Sequence, residues 1–213
     1  MMQTSERESL NDLDRETDEV LLGRYRDVGL PADFNQLIHR YERELYRYLT
    51  RYTGDASLAE DVFQNTFMQV HLKRNLYEDG RPVRPWIYSI ATHQAVDALR
   101  KTGRHPTVSL DQRGTERSGS DDVGALIDVL VSDTPGPVAE LQGKEREQWV
   151  RESVEKLPET LKQTLILAYH QDLKYREIAE ILKIPVGTVK SRLHAALAKL
   201  QEMGERAGRD GEG

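Results

Sequence analysis

The sequence predicts an all-α protein made of two small helical domains joined by a flexible linker. Apolar residues recur at spacings of three and four through two long blocks of the chain, as they do on the buried face of a helix. No long run alternates between apolar and polar residues, so nothing favours a sheet. Between the blocks lies a segment rich in Gly, Ser, Asp, Thr and Pro, which is typical of a linker.

These patterns divide the 213 residues into five parts. We expect helical domains over residues 18–102 and 142–203, each in the size range of a small independent module. The other parts are an acidic N-terminal extension over residues 1–17, an acidic linker over residues 103–141 and a disordered tail over residues 204–213. Small modules agree with a composition that is 38% hydrophobic and 31% charged.

The composition also excludes several classes of protein. No run approaches the roughly 18 apolar residues of a membrane span, and the N-terminus is acidic where a signal peptide is basic and then apolar. We therefore expect a cytoplasmic protein without membrane insertion. The absence of cysteine excludes disulfides and thiolate sites, and the six histidines lack the spacing of metal ligands. We predict neither a metal nor a cofactor.

The net charge of −6 is unevenly distributed along the chain. Residues 1–20 hold seven acids against two bases, and residues 102–141 hold seven acids against three bases. The remaining residues, 21–101 and 142–213, are therefore mildly basic, with net charges of +2 and +1. Such weak positive charge predicts poor DNA affinity for the isolated chain, because nonspecific affinity scales with the number of phosphates neutralised. A partner must supply the remaining affinity.

The first block is expected to contain four helices, each bounded by residues that start or stop helices. A glycine and a proline end the first, and Gly54 caps the end of the second. The pattern SLAE, starting at Ser57, is a capping box that opens the third, and Pro85 opens the fourth after a polar loop. Trp86 and the aromatic residues of the second helix are assigned to the core. The expected helices cover residues 18–27, 32–52, 57–72 and 85–101.

The second block is expected to hold a helix up to residue 156, another over residues 158–170, and a helix-turn-helix over residues 175–200. Both helices of the last motif carry apolar residues three or four apart, so they pack on a shared core. This arrangement presents the second helix to the major groove of DNA. The inward residues are Ile178, Ala179, Ile181 and Leu182, followed by Val189, Leu193, Ala196, Leu197 and Leu200.

On a helical wheel, the outward side of the second helix is small and polar, with Ser191 and His194 at its centre. Thr188 and Lys190 flank this side, and no acid lies between the turn and the end of the motif. Arg192 lies nearer the apolar edge and is expected to reach a phosphate or a neighbouring carboxylate. The alternative is an ordinary amphipathic hairpin with a solvated cationic face.

In the linker, VGALIDVL over residues 123–130 predicts a two-turn helix that docks on one of the domains or on a partner, because its apolar residues share one face.

Three stretches of the chain are similar to parts of one protein family. They are AEDVFQNTFMQV, RPWIYSIATHQAVDALRK and LPETLKQTLILAYHQDLKYREIAEILKIPVGTVKSRLHAALAKL. In this order they resemble the polymerase-binding helix, the −10 reading helix and the −35 reading domain of the extracytoplasmic-function (ECF) group of bacterial sigma factors. Similar helix-turn-helix domains occur in many response regulators. All three stretches in this order, around an acidic linker, identify the chain as a member of the sigma family.

The resemblance implies a polymerase-binding face on the third helix. The family positions that match Asp61, Gln64 and Phe67 lie on the helix that binds the β′ clamp helices of core RNA polymerase. Met68 continues this strip, and Asn65 stands where the family usually carries an acid, which removes one ion pair at an exposed rim. The alternative is a solvated helix face above a buried Phe67.

The resemblance also implies that the loop over residues 75–84 and the helix after it capture a flipped base of the melted strand and read the −10 element. That work needs stacking surfaces and phosphate-binding cations together. Thr92 and Gln94 depart from the residues often found in this helix. The candidate residues are Tyr77, Arg81, Arg84, His93, Gln94, Arg100 and Lys101.

In the helix-turn-helix, the family positions that reach the −35 element match the outward residues of the wheel. Ala195 stands where a basic residue is frequent. Lys183 replaces the usual glycine of the turn, where a left-handed residue would cost about 1 kcal/mol. The candidate −35 residues are Thr188, Lys190, Ser191, Arg192 and His194.

The sequence therefore predicts a sigma factor that binds core RNA polymerase and double-stranded and melted promoter DNA, and that is not an enzyme. The resemblance implies contacts with the β′ clamp helices and the β flap, and an anti-sigma partner. One alternative is a stand-alone helix-turn-helix regulator that binds a symmetric operator as a dimer. A helical hydrolase that uses Glu60 and Asp61 is disfavoured, because neighbours in a helix point about 100° apart.

Overall fold

The computed structural model describes residues 16–103, 143–170 and 173–211, and every regular element in these ranges is helical. The chain divides into two compact units, Met1–Arg104 and His105–Gly213. The predicted linker, its two-turn helix and nearly all of the N-terminal extension lie outside the described residues. None of the described helices is long and apolar enough to cross a membrane.

The described residues of the first unit form four α-helices and one short 3-10 turn. Thr17 caps the first helix, with its hydroxyl accepting from the backbone N–H of Val20 at 3.4 Å. Gly29 and Gly54 end the first two helices in the left-handed conformation, as glycine does at helix C-termini. The elements are α1 (Asp18–Val28), α2 (Pro31–Thr53), α3 (Ala56–Lys73), a 3-10 turn (Arg74–Leu76) and α4 (Val83–Lys101).

The start of α3 differs from the prediction. The helix begins before Ser57, so Asp55 and not Ser57 is the N-cap residue. Its carboxylate accepts from the backbone N–H groups of Ser57 at 3.0 Å and Leu58 at 3.1 Å. An ionised Asp oxygen at the positive end of a helix is the stronger cap, so the SLAE pattern is not used as a capping box.

Helix α2 is the centre of the first unit and packs against α1, α3 and α4. Its buried side carries three tyrosines, of which Tyr48 stacks on Tyr52 at 6.0 Å between ring centroids and lies 5.3 Å from Tyr88 of α4. The Tyr48 hydroxyl shares a buried 2.8 Å hydrogen bond with Thr92. The aromatic residues assigned to the core of α2 are therefore confirmed for Tyr41 and Tyr48, which are at most 2% exposed.

A polar network ties the start of the first unit to α2. The Arg24 guanidinium bonds Glu16 at 2.6 Å and the buried Asp33 at 2.5 Å. The hydrogen bond with Asp33 is the main cause that raises the pKa of Arg24. Arg40 bonds the Glu16 main-chain oxygen at 2.7 Å and the Asp18 carboxylate at 2.8 Å. The N-terminal extension therefore leaves the unit beside Arg40.

The described residues of the second unit form four helices, of which the second and third both pack against the fourth. Their shared core contains Ile166, Ile178, Ile181, Val189 and Leu193, each at most 2% exposed. The inward residues expected for the helix-turn-helix are thus confirmed, except that Ala179, Leu182 and Leu200 are only half-buried. The helices are α5 (Gly143–Glu155), α6 (Glu159–His170), α7 (Tyr175–Leu182) and α8 (Val186–Gly211).

Helix α8 extends well past residue 203, so the expectation of a disordered tail from residue 204 is wrong for the residues described. Two side-chain pairs at i,i+4 spacing support this extension, Gln201 with Glu205 at 3.4 Å and Arg206 with Glu202 at 2.5 Å. Position 204 is a glycine, which disfavours a helix, but these pairs and the helix-favouring residues around it continue the helix.

Candidate nucleic-acid interface

The turn between α7 and α8 depends on an unusual lysine conformation. Lys183 has φ 53° and ψ 44°, and it is the only non-glycine residue with positive φ in the described ranges. The N–H of Ile184 bonds the carbonyl of Ala179 at 3.0 Å, which closes the end of α7 as a Schellman motif does. Lys183 therefore adopts the left-handed conformation that the glycine usual at this position would adopt more easily, and the turn is formed.

The start of α7 is fixed by one side-chain contact. The Glu177 carboxylate accepts from the backbone N–H of Lys174 at 2.7 Å. Tyr175, the next residue, brings its ring within 5.8 Å of the Lys190 ammonium on α8, measured to the ring centroid. This distance permits a cation–π interaction between the two helices of the motif.

The candidate DNA-binding residues of α8 differ in exposure. His194 is exposed, while Thr188, Lys190, Ser191 and Arg192 are half-buried. The exposed remainder of this side consists of small residues, so a groove wall could approach it closely. The side carries Gly187, Ala195 and Ala198, all exposed.

The unit itself constrains the polar groups of two of these α8 residues, Ser191 and Arg192. The Ser191 hydroxyl donates to the Thr188 carbonyl at 3.1 Å, so its lone pairs remain available as acceptors. Burial lowers the pKa of Arg192, which is consistent with its position at the apolar edge of the helix. A half-buried guanidinium at this edge suits a phosphate better than a base edge.

The candidate −10 residues fall into an exposed set and a protein-bound set. Arg81, His93, Arg100 and Lys101 are exposed, and Gln94 is half-buried. His93 Nδ1 lies 2.5 Å from the carbonyl of Ser89, one turn earlier on α4. Arg100 lies 3.8 Å from Asp97, a loose pair that leaves the cation accessible to a phosphate.

Tyr77 does not offer the stacking surface expected from the sequence. It is 3% exposed, its ring centroid lies 5.4 Å from that of Trp86, and its hydroxyl donates to the Arg81 carbonyl. Burial raises the pKa of its phenol. Tyr77 follows a 3-10 turn whose last residue, Leu76, points outward instead, so the ring faces the protein.

Arg84 is also held by the protein. Its guanidinium lies 3.3 Å from Glu44 and 5.6 Å from the ring centroid of Tyr88. Burial is the largest single influence and acts to lower the pKa of Arg84, but the charge of Glu44 and the interactions with Tyr88 and Tyr41 together outweigh it, so the pKa is raised. The side chain therefore joins α4 to α2, and it is not a free cation for DNA.

The candidate polymerase-binding residues of α3 also divide into exposed residues and one that is buried in the protein. Asp61, Gln64, Asn65 and Met68 are exposed on one face, with Met68 58% exposed. Phe67 is 5% exposed and packs against Phe63 and Phe34, with ring centroids 5.0 Å and 6.1 Å away. The structure therefore agrees with the alternative interpretation for this residue, in which Phe67 is buried beneath a solvated helix face.

The sequence interpretation missed an apolar continuation of this face. Leu72 is 62% exposed and lies one turn beyond Met68, and Leu76 of the 3-10 turn is 72% exposed. A helical wheel of α3 could have found Leu72, because position 72 falls on the side of Asp61 and not on the side of the buried Val62.

No group of described residues could hold a metal ion.

Comparisons with known families match both units. The family model for sigma-70 region 2 matches residues 37–105, and the model for sigma-70 region 4 matches residues 147–200. The matched segments occur in the order expected from the three motifs of the sequence.

Curated relatives span most of the chain. The ECF RNA polymerase sigma factor SigW of Bacillus subtilis is 29% identical over 79% of this chain and 87% of its own length. The ECF RNA polymerase sigma-E factor of Haemophilus influenzae is 32% identical over 84% of this chain and 91% of its own. The sigma-E factor of Escherichia coli is 31% identical over 84% of this chain and 90% of its own.

Two solved structures share the fold. CnrH in complex with the cytosolic domain of CnrY matches with a TM-score of 0.62 and 19% identity, over 88% of this chain and 97% of that chain. The sigma factor RpoE in complex with the anti-sigma factor NepR from Bartonella quintana matches with a TM-score of 0.56 and 23% identity, over 80% of this chain and 95% of that chain. At these identities the similarity concerns the fold.

Proposed function

The chain belongs to the ECF RNA polymerase sigma factors, and from this premise we propose that it binds core RNA polymerase and directs it to promoters. The observation that carries the proposal is the pairing of two regions in one chain, each on its own compact unit. Each unit also exposes polar and cationic residues where the family resemblance expects a contact. A single helix-turn-helix would not support this conclusion, because it is common to many regulators.

For polymerase binding, the proposed contact is the exposed face of α3. Asp61, Gln64 and Asn65 present carboxylate and amide groups, and Met68 adds an apolar contact beside them. A strip of this kind on a rigid helix suits another helical surface, and we assign it to the β′ clamp helices. Phe67 acts indirectly by packing beneath the strip. The second unit is proposed to contact the β flap.

For the −35 element, α8 is proposed to enter the major groove of double-stranded DNA. Lys190 and Ser191 can reach base edges, and Lys pairs well with guanine O6 and N7. His194 is exposed on the same side, and Thr188 lies at the start of the helix. Arg192 is assigned to a phosphate because of its position at the apolar edge.

For the −10 element, the proposed contacts are the exposed polar residues of α4 and the loop before it. Arg81, Arg100 and Lys101 can neutralise phosphates of the melted strand, and His93 and Gln94 can reach bases. Tyr77 and Arg84 are left out of this set, since both are occupied by contacts within the unit. They are proposed to hold the loop and α4 in place.

Regulation and location follow from the same premise. Because the domains are only mildly basic, DNA binding is proposed to depend on polymerase, and that coupling restricts the protein to promoters. RpoE is described as bound to an anti-sigma factor, and we propose a partner of this class for the free chain. The chain is proposed to act in the cytoplasm, where polymerase works, and to catalyse no reaction itself.

The test is run-off transcription and gel-shift with bacterial core polymerase, with and without the chain, on a pool of promoter fragments. Transcripts and open complexes that require both components are the expected result. A specific shift by the chain without polymerase, and no start-site selection by the core enzyme, would instead identify a stand-alone regulator. A regulator of that kind would also bind a two-fold symmetric site.

A further inference from the structure

Helix α2 carries three exposed arginines on the side opposite its buried residues. They are Arg43, Arg47 and Arg51, spaced at i, i+4 and i+8, and we call them the arginine stripe. All three are exposed, while Leu45 and Tyr48 on the opposite side are 0% exposed. The stripe therefore makes no contribution to the core.

The stripe also differs from the other arginines of α1, α2 and α4. Arg24, Arg26, Arg40, Arg84 and Arg100 each form an ion pair with at least one carboxylate of the unit, the Arg100 pair being the loosest at 3.8 Å. Arg43, Arg47 and Arg51 form none with the residues that the structure describes. Glu42 and Glu44 are the carboxylates on either side of Arg43 in sequence, and their partners are His39 at 3.6 Å and Arg84 at 3.3 Å.

The spacing of the stripe destabilises α2, because it brings like charges together. Like charges at i,i+4 lie one above the other and repel, and the stripe contains two such pairs. No carboxylate of the described part of the unit forms an ion pair with any of the three arginines. A ligand with several negative charges would offset it.

The dimensions of the stripe identify a ligand with regularly spaced charges. Successive arginines are about 6 Å apart along the helix axis, so the stripe spans about 12 Å. One strand of DNA presents a phosphate about every 3.4 Å of its axis, so about four phosphates fit this length. The planar guanidinium binds phosphate oxygens in pairs, which a lysine cannot do. Tyr46, 38% exposed, adds an aromatic ring beside the stripe.

We propose that the arginine stripe binds the phosphate backbone of promoter DNA, as a contact separate from the −10 and −35 residues. The proposal rests on the proposed function, since it concerns the same promoter. The stripe reads no base sequence, so it increases affinity for every promoter alike. A rival occupant is the acidic N-terminal extension, because Glu16 is bonded to Arg40, which lies one turn before Arg43.

The experiment measures DNA affinity against salt for holoenzyme and for the free full-length chain. The variant is Arg43→Gln with Arg47→Gln and Arg51→Gln, which keeps good helix formers. The control removes the same charge from exposed positions elsewhere, through Lys73→Gln, Lys156→Gln and Arg206→Gln. Binding of each chain to core polymerase is measured separately, without DNA.

If the stripe binds DNA, the slope of log affinity against log salt falls by about 2 to 3 in the stripe variant and stays unchanged in the control. Raising salt from about 50 to about 200 mM then weakens the wild type roughly 40-fold more than the stripe variant. The loss is the same on different promoters, and polymerase binding does not change. The thermal midpoint is not lowered, because repulsive pairs have been removed.

Three results would overturn the proposal. They are an unchanged slope, an equal change in the control, or tighter DNA binding by the stripe variant, which would assign the stripe to the acidic extension. If the wild-type chain starts no transcript with core polymerase, the proposed function fails. The slope of the free chain still tests the stripe in that case, so the two failures are distinguishable.

Discussion

The ammonium of Lys190 lies over the ring of Tyr175, 5.8 Å from its centroid. This contact joins the first residue of α7 to the side of α8 that is proposed to face DNA. A lysine side chain has a flexible four-carbon stem and loses conformational entropy when it binds. By restricting Lys190 before DNA arrives, Tyr175 reduces that loss, so the tyrosine is expected to position the lysine.

Replacement of Tyr175 should therefore weaken −35 binding through Lys190. Tyr175→Leu removes the ring and is expected to lower the affinity of holoenzyme for a −35-dependent promoter about two- to fivefold, the equivalent of 0.5–1 kcal/mol for an exposed cation–π contact. Tyr175→Phe keeps the ring and is the matched control. In a double-mutant cycle, Tyr175→Leu should add little once Lys190→Ala is present. Equal losses in both backgrounds would contradict the positioning role.

The DNA-facing side of α8 can be tested without disturbing polymerase binding. Lys190→Ala with His194→Ala should reduce −35-dependent transcription about 10- to 100-fold, since a good contact to a base contributes about 1–3 kcal/mol of discrimination. Arg206→Ala, which removes a cation from the exposed far end of α8, is the control. Run-off transcription and core-polymerase binding are measured in parallel. Equal loss of both would show that this side of α8 binds polymerase.

The two sets of residues on α3 should respond differently to substitution. Asp61→Ala with Gln64→Ala and Met68→Ala removes exposed groups and should weaken polymerase binding while leaving the free energy of unfolding within about 0.5 kcal/mol per site. Phe67→Ala removes a buried ring and should cost about 3–5 kcal/mol of stability. Urea unfolding and a polymerase-binding titration separate the two effects. A stable Phe67→Ala chain that has lost polymerase binding would mean that Phe67 is a contact residue.

The contrast between Asp61 and Phe67 also shows what the sequence can and cannot predict. Helical periodicity is a local property, so the inward residues Ile178, Ile181 and Leu193 were predictable from spacing. The orientation of a residue at the edge of a stripe depends on which neighbour arrives from elsewhere in the chain. Phe67 is buried because Phe34 of α2 reaches it, and spacing within α3 contains no information about α2.

The loop residues were harder to predict for the same reason. Tyr77 follows a 3-10 turn, and its burial requires Trp86 at the start of the next helix. Arg84 is neutralised by Glu44, 40 positions earlier, through a pairing that only the packing of α4 on α2 creates. The sequence identified the correct types of residue for a DNA contact but could not tell which of them the fold uses for itself.

The left-handed lysine of the turn makes a stability prediction. Lys183→Gly should raise the free energy of unfolding of the second unit by up to about 1 kcal/mol, because glycine adopts positive φ without the Cβ penalty. In a unit of this size, that is a rise in thermal midpoint of about 4–8 °C. Lys199→Gly, at an exposed position within α8, is the control and should destabilise. A lower midpoint for Lys183→Gly would mean that the lysine side chain makes a stabilising contact.

The buried tyrosines of the first unit predict a loss of stability in alkali. Burial, together with the charge of Asp18, raises the pKa of Tyr41, and burial and the charge of Glu44 raise that of Tyr88. In the unfolded chain a tyrosine loses its proton near pH 10. Above that pH the unfolded state binds fewer protons than the folded state, so the free energy of unfolding falls by about 1.4 kcal/mol per pH unit for each tyrosine.

Urea unfolding of the full chain between about pH 8 and about pH 11 measures this slope, with the tyrosine fluorescence and helix content of the first unit as signals. Tyr41→Phe or Tyr88→Phe should each reduce the alkaline slope by one proton, and the double variant by two. Tyr41→Phe also removes a 2.6 Å hydrogen bond to Asp18, but that loss lowers stability below pH 10 without changing the slope above it. If all four chains lose stability at the same rate above pH 10, these phenols do not set the alkaline limit of the fold.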